Sequence, residues 1–268
     1  MVTKTISKYA KIYWRLVKFA AIQETTYRFS FFLEIFVEVA YILVTLLGVG
    51  VLFWNVSEVA GWSFHQMLVL LGLNAIFAET ILGLTFVFNL RSLPQKINKG
   101  SLDMVLVQPL NSQFVVSLWR PYFAFIPSLL PGALMIYSGF KLGGFSLDPW
   151  SLLPFLIIFS AGLVIAYAVG MILSTLSVWL INAAPLPMLA ENILFMAKIP
   201  YSVYTGGLRI LFLLFVPLAF MVSFPAQTLL GSSQWWWPAV AAGLAVVFLK
   251  TSSVFWNFAL KHYAGASS

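Results

Sequence analysis

Charge is scarce in this chain: 9% of its 268 residues are Asp, Glu, Lys or Arg, against 61% hydrophobic and 17% aromatic. A water-soluble domain of this length carries roughly 25% charged residues to cover its surface, so the composition excludes one. Cysteine is absent, which excludes a disulfide framework and thiolate chemistry. The two histidines, His65 and His262, fall at opposite expected membrane faces, which excludes a histidine metal site and a histidine-based catalytic pair. No G-x-x-x-x-G-K-[ST] run occurs. Gly48-Val49-Gly50 lacks the third glycine of a dinucleotide fingerprint, and in Lys99-Gly100-Ser101 the lysine lies on the wrong side of the glycine for a phosphate loop. No catalytic residue, cofactor or metal is therefore expected, and any ATP must be handled by a partner. Repeats, low-complexity tracts and domain linkers are missing as well.

What remains is apolar sequence, with room for roughly six or seven helical crossings in a single membrane domain, 1–268. Fifteen Lys and Arg against eight Asp and Glu give a net charge of +7. The cations gather before the first apolar segment and in one loop, which fits a positive-inside membrane topology and argues against nucleic acid as a partner. Lys4, Lys8, Lys11, Arg15 and Lys18 recur at helical spacing within an arc of roughly 80°, while Ile6, Tyr9, Ala10, Tyr13, Leu16, Val17 and Ala20 occupy the other side. Residues 1–24 thus read as an interfacial amphipathic helix resting on membrane lipid, and no removable signal peptide is expected.

Apolar segments follow at 29–54, 64–90, 114–140, 152–181, 186–204, 208–230 and 238–260. The cationic N-terminus and loop 91–113 belong in the cytoplasm, and Lys261 places the C-terminus there too. Loops 55–63 and 231–237 lack Lys and Arg and read as external. Two cytoplasmic ends require an even number of crossings, so one segment of the seven does not cross. Gly206 and Gly207 before 208–230, with Pro217 and Pro225 inside it, favour a re-entrant region over 206–231. The competing assignment keeps 208–230 as one kinked span and lays 186–204 flat. Pro121, Pro127 and Pro131 predict a kink in the third span.

Two groups of residues stand out as candidate sites. The loop 91–113 predicts a short helix ended by Gly100 in the left-handed conformation, after which Leu102, Val105 and Leu106 lie against the membrane face. Such an exposed helix suits docking of another protein. Inside the membrane, Glu34 and Glu38 share one face of the first span, Glu79 lies midway along the second, and Glu191 sits near the inner end of the fifth. Lys198 and Lys250 fall at overlapping depths, and a buried charge of either sign calls for a partner or water. Glu38 or Glu79 with Lys198 or Lys250 are the candidate pairs. They serve either helix register or a polar substrate path.

The basic amphipathic start, Tyr27-Arg28 before the first span, the Gly100-x-Leu102-Asp103-x-x-Leu106-x-x-Pro109-Leu110 run, Pro200, Pro217 and Pro225-Ala226, and the Phe255-Trp256 to Tyr263 ending resemble the permease subunits of type 2 ABC transporters. Members often carry Arg where this chain has Gln108. The resemblance implies an all-α polytopic membrane protein with six transmembrane helices, the N-terminal interfacial helix, and re-entrant helices between spans five and six. It also implies a coupling helix, onto which Lys96, Lys99, Gly100, Ser101, Leu102, Asp103, Leu106 and Pro109 map. Its partners would be a cytoplasmic ATPase subunit and a second permease, identical or paired, in a bacterial inner membrane, exporting lipids, glycolipids, polysaccharides or drugs. Two other readings stand beside it: an ion- or proton-coupled secondary transporter using the buried Glu and Lys residues, and a membrane scaffold without transport.

Overall fold

The computed structural model describes residues 2–24, 28–122, 125–180 and 183–263, and among them the fold is all-α apart from one tiny hairpin. Helix α1 is Val2–Glu24 and α2 is Arg28–Asn55. Two-residue strands follow, β1 at Glu58–Val59 and β2 at Trp62–Ser63, paired antiparallel. Ala60 and Gly61 between them take positive φ (50° and 81°), the left-handed pair that a two-residue hairpin turn requires. Ser63 then caps α3, Phe64–Ile81, in a reciprocal box with Gln66.

Short pieces follow: α4 at Leu93–Asn98, α5 at Asp103–Leu106 and α6 at Ser112–Leu118. The remaining elements are α7 at Phe125–Gly143, α8 at Leu152–Thr175, α9 at Pro185–Phe195, α10 at Gly206–Ile210, α11 at Phe224–Leu229 and α12 at Trp237–Leu260. Among the described residues, four helical stretches are long and apolar enough to cross a membrane: Phe64–Phe86, Phe125–Gly143, Pro149–Val178 and Trp237–Leu260. Val39–Asn55 of α2 is a shorter apolar helix.

Small residues set how closely these helices approach. A Cβ on Gly72 of α3 would stand 2.5 Å from the carbonyl oxygen of Gly132 on α7, and one on Gly139 would stand 2.8 Å from that of His65. The two backbones therefore touch at two points, as small residues permit in a medium where lipid competes equally for apolar side chains. Helix α8 packs on α12 on one side and receives the 219–229 region on the other, where Gly162 lies against the Phe220 carbonyl. Phe77, Phe86, Ile165, Met221 and Trp256 fill the centre.

Three apolar segments are broken: 114–140 and 186–204, where the sequence predicts spans, and 208–230, where it predicts interruption at Pro217 and Pro225. The segment 114–140, expected as one kinked span, is instead α6 and α7. Pro121 has no N–H to continue α6 and pushes its predecessor out of the helical region. The segment 186–204 is α9, 11 residues and about 16 Å long, followed by single 3-10 turns at Met196–Lys198 and Tyr201–Val203. Pro200 again explains it, since Ile199 is extended (φ −92°, ψ 127°). In 208–230 the break falls at Val216 and Pro217, between π-helical turns at Leu211–Phe215 and Ala219–Ser223. Pro225 does not interrupt: it lies in the first turn of α11, where the preceding π turn accommodates its ring. Of the Trp235–Trp237 cluster, Trp235 is exposed, whereas Trp237 is buried and stacked on Phe224 at 4.1 Å.

Candidate functional site

The polar loop between α3 and α7 is built from its first residue onward. Helix α4 closes with the Lys99 N–H on the Gln95 carbonyl and the Leu102 N–H on that of Lys96, the chain reversing at Gly100 with φ +67°. That reversal drives Leu102 into the core, where it is fully buried beside Leu93. Leu102 is thus an anchor rather than a surface residue, which corrects the expectation that it lies along a membrane face. Leu106 is exposed, as are Met104 at 74% and Val107 at 82%, with Lys99 and Pro109 beside them on the outside. Met104 and Val107 were not singled out by sequence, because nothing in their spacing separates an apolar docking residue from a core one. Lys96 is half-buried, which lowers its pKa. Ser101 turns inward to bond the Lys96 carbonyl, at 3.3 Å. Asp103 is half-buried near Tyr263, whose pKa is raised by burial first and by that carboxylate second.

Helix α1 is fastened to the same loop. The Tyr9 hydroxyl accepts the Asn111 N–H at 2.9 Å, and the Tyr9 and Tyr13 rings meet Phe114 edge-on. Lys8, Lys11, Arg15 and Lys18 face outward. The side chain of Lys4 lies outside the described residues, as do those of Glu34 and Glu38 and the whole of Tyr27.

Where α3 ends, three polar links replace helical hydrogen bonds. The Asn89 amide donates to the Arg120 carbonyl (3.0 Å) and the Leu84 carbonyl (3.3 Å), and accepts from the Arg120 N–H (3.0 Å). Two residues on, Arg91 meets Glu191 of α9 in a two-pronged ion pair, Nε to Oε1 and Nη2 to Oε2, each 2.6 Å. Glu191 is 6% exposed while the Arg91 side chain is 44% exposed, so one end of the pair reaches water. The bonds to Glu191 raise the Arg91 pKa against an opposing effect of burial. In the sequence Arg91 serves only as a topology signal, and Glu191 has no evident match. The usable clue was depth, because both residues fall at the same expected membrane face.

A cavity of about 480 Å³ opens between α2, α3 and the α9 region. Glu79 and Lys198 both line it, together with Tyr41, Thr45, Asn74 and Asn192. Lys250 is exposed on α12 and is not among the lining residues. Asn74 is buried and its Oδ1 has no hydrogen-bond partner. Among the described residues no cluster of His, Asp or Glu is suited to hold a metal ion.

Long apolar helices in contact at glycines, with polar groups gathered at one end and in one cavity, define a multi-pass membrane protein. The chain belongs to the ABC-2 family of transporter proteins, whose family model matches residues 39–267. It is a type 2 ABC permease, a membrane transport component of a family that generally works with an ATP-binding partner. No curated protein and no solved structure matches it.

Proposed function

We propose that this chain is the permease half of an ABC exporter in a bacterial inner membrane, assembled with a second permease and driven by a separate ATPase. The observation that carries the reading is the loop after α4, within the family-matched region: an apolar tip, Met104, Leu106 and Val107, held out by a buried Leu102. Exposed apolar side chains on an anchored turn are what a partner protein buries. In this reading the spans are α2, α3, α7, α8, the α9 region and α12, with 206–231 re-entrant, 1–24 interfacial and both termini cytoplasmic. Lys96, Lys99, Gly100, Ser101, Asp103 and Pro109 shape the docking loop around that tip.

Closure of the ATPase pair on ATP pushes the α4–α5 loop. Arg91 stands one turn before α4 and grips Glu191, so the push reaches α9 without passing through a flexible linker. Reversing an inward-to-outward equilibrium from 1:99 to 99:1 takes about 5.5 kcal/mol of differential binding. The path for an amphipathic substrate runs along the cavity that Glu79 and Lys198 line.

Pull-down of the full chain in mild detergent tests this. Wild-type protein should carry an ATPase subunit, and Met104→Asp with Val107→Asp should lose it while still inserting. An ATPase that never associates, or one retained undiminished by the double variant, overturns the reading. The two charges in the cavity favour a second reading, an ion-coupled transporter. Transport by reconstituted protein without nucleotide, driven by a proton or sodium gradient, would select it.

A further inference from the structure

Helices α7 and α8 are joined by the short stretch 144–151, yet each packs elsewhere, α7 on α3 and α8 on α12. Between them lies a groove of about 750 Å³, at the end of the bundle opposite the α4–α5 loop. Its lining residues Tyr137 and Leu156 are more than half exposed, so it opens on the surface where lipid lies. We propose that this groove holds an acyl chain of an anionic phospholipid whose phosphate meets Lys141.

Aromatic rings make the walls. Phe155 and Phe159 of α8 stack with centroids 5.5 Å apart, and Phe140 of α7 meets Phe145 of the connection edge-on at 6.1 Å. Rings held against one another keep such a pocket formed before a ligand arrives. Along α7 the lining runs from Ala133 to Lys141, about 12 Å by helical rise, which stays within one half of a hydrocarbon core about 30 Å thick. The shape suits a chain lying parallel to α7 and drawn from a single leaflet.

Charge sets the head. Lys141 is the one charged group among the described lining residues, and it stands in the last turn of α7. Its ammonium lies 5.7 Å from the centre of the Tyr137 ring, and no carboxylate pairs with it among the described residues. Asp148, the nearest acid in sequence, instead accepts the Trp150 N–H at 3.0 Å. A phosphate at the end of the span would give the lysine a charge-assisted hydrogen bond while its chain covers the rings below. A zwitterionic head brings a second cation beside Lys141 and loses that advantage. A soluble anion would leave the groove uncovered.

Full-length protein in phosphatidylcholine vesicles tests this. The vesicles hold a minor fraction of a lipid with a photoreactive group on its acyl chain and either a phosphatidylglycerol or a phosphatidylcholine head, and labelled peptides are mapped by mass spectrometry. With wild-type protein, the α7 and α8 peptides should take the phosphatidylglycerol probe about fivefold over the other, the scale of one lysine against anionic lipid. Lys141→Gln, at an exposed position, should remove that preference and leave phosphatidylcholine labelling as it was. Ala133→Trp should fill the groove and reduce labelling there by both probes, while labelling of α1 persists.

Equal labelling of α7 and α8 by the two probes in wild-type protein overturns the proposal, and so does a preference that survives Lys141→Gln. Labelling that Ala133→Trp leaves unchanged overturns the groove as its place. None of these measurements involves the ATPase, so this inference and the exporter reading stand or fall separately.

Discussion

The contact between α3 and α7 and the polar stretch from Asn89 to Arg120 hold neighbouring parts of the same helices by opposite means. Between α3 and α7, glycines bring backbone against backbone at Gly72–Gly132 and His65–Gly139. Past the end of α3 the chain leaves regular helix, and side chains bind the exposed backbone, Asn89 clasping Arg120 and Asn111 capping α6, while Arg91 grips the Glu191 carboxylate. Continuous helices satisfy their own amides and need only shape to associate. Interrupted ones must recruit polar side chains, because orphaned amides are costly wherever water is excluded. Polar links also have alternatives, water among them, which close-packed glycines lack. The second region is thus the part of the molecule able to rearrange.

The largest expected effect falls on the ion pair. Arg91→Ala leaves Glu191 charged, buried and alone, and breaking a buried pair from one side costs about 3 kcal/mol, the low end of the usual range because Arg91 reaches solvent. Glu191→Ala should cost less, since the arginine left behind can hydrate. The swap Arg91→Glu with Glu191→Arg should recover part of the loss. Thermal unfolding in detergent measures all three. Equal losses for the two single variants would mean that the burial asymmetry does not control the site.

Gly72→Ala comes next and probes the other region. The added methyl would press on the Gly132 carbonyl and on Ile136, neither of which is the free end of a flexible chain. Overpacking of this kind costs about 2 kcal/mol and should lower the unfolding temperature. Gly48→Ala is the matched control: a Cβ there meets nothing within 4 Å, so its unfolding temperature should not fall. Helix propensity favours alanine at both positions, so a fall for Gly72→Ala alone would isolate the α3–α7 contact, and a fall in both would point away from it.

The same contrast separates what could be read in the sequence from what could not. Phe64–Phe86, Pro149–Val178 and Trp237–Leu260 are long apolar runs, and hydropathy finds such runs because burial in lipid needs nothing else. The outward cations of α1 follow from spacing alone. Breaks were harder. Pro121 and Pro200 were visible, but whether a proline kinks a helix or ends it depends on partners for the freed amides. One such partner is the Gly83 carbonyl, which accepts the Tyr122 N–H at 2.8 Å. Depth leaves Glu38 or Glu79 open to Lys198 or Lys250; Glu79 and Lys198 line one cavity, Lys250 does not, and the Glu38 side chain lies outside the described residues. Depth alone did not match Arg91 to Glu191, residues 100 apart in sequence, because only tertiary packing brings the end of α3 onto α9.

Asn89→Ala has the smallest expected effect on stability and bears most directly on the comparison. The residue is 1% exposed and makes three hydrogen bonds, which on counting alone would suggest a severe loss. Its partner Arg120 is exposed, however, with the guanidinium over the Phe88 ring at 4.4 Å, so water can replace what the amide supplied to that backbone. The net cost should be about 1 kcal/mol. If the clasp serves to transmit movement from the docking loop, transport coupled to ATP should drop severalfold in a variant whose unfolding temperature barely changes. A glycine-contact variant such as Gly72→Ala should show the opposite balance, losing stability in proportion to activity. Should Asn89→Ala lose several kcal/mol instead, the polar stretch would be as rigid a seam as α3–α7, and the division between a fixed and a movable region would fail.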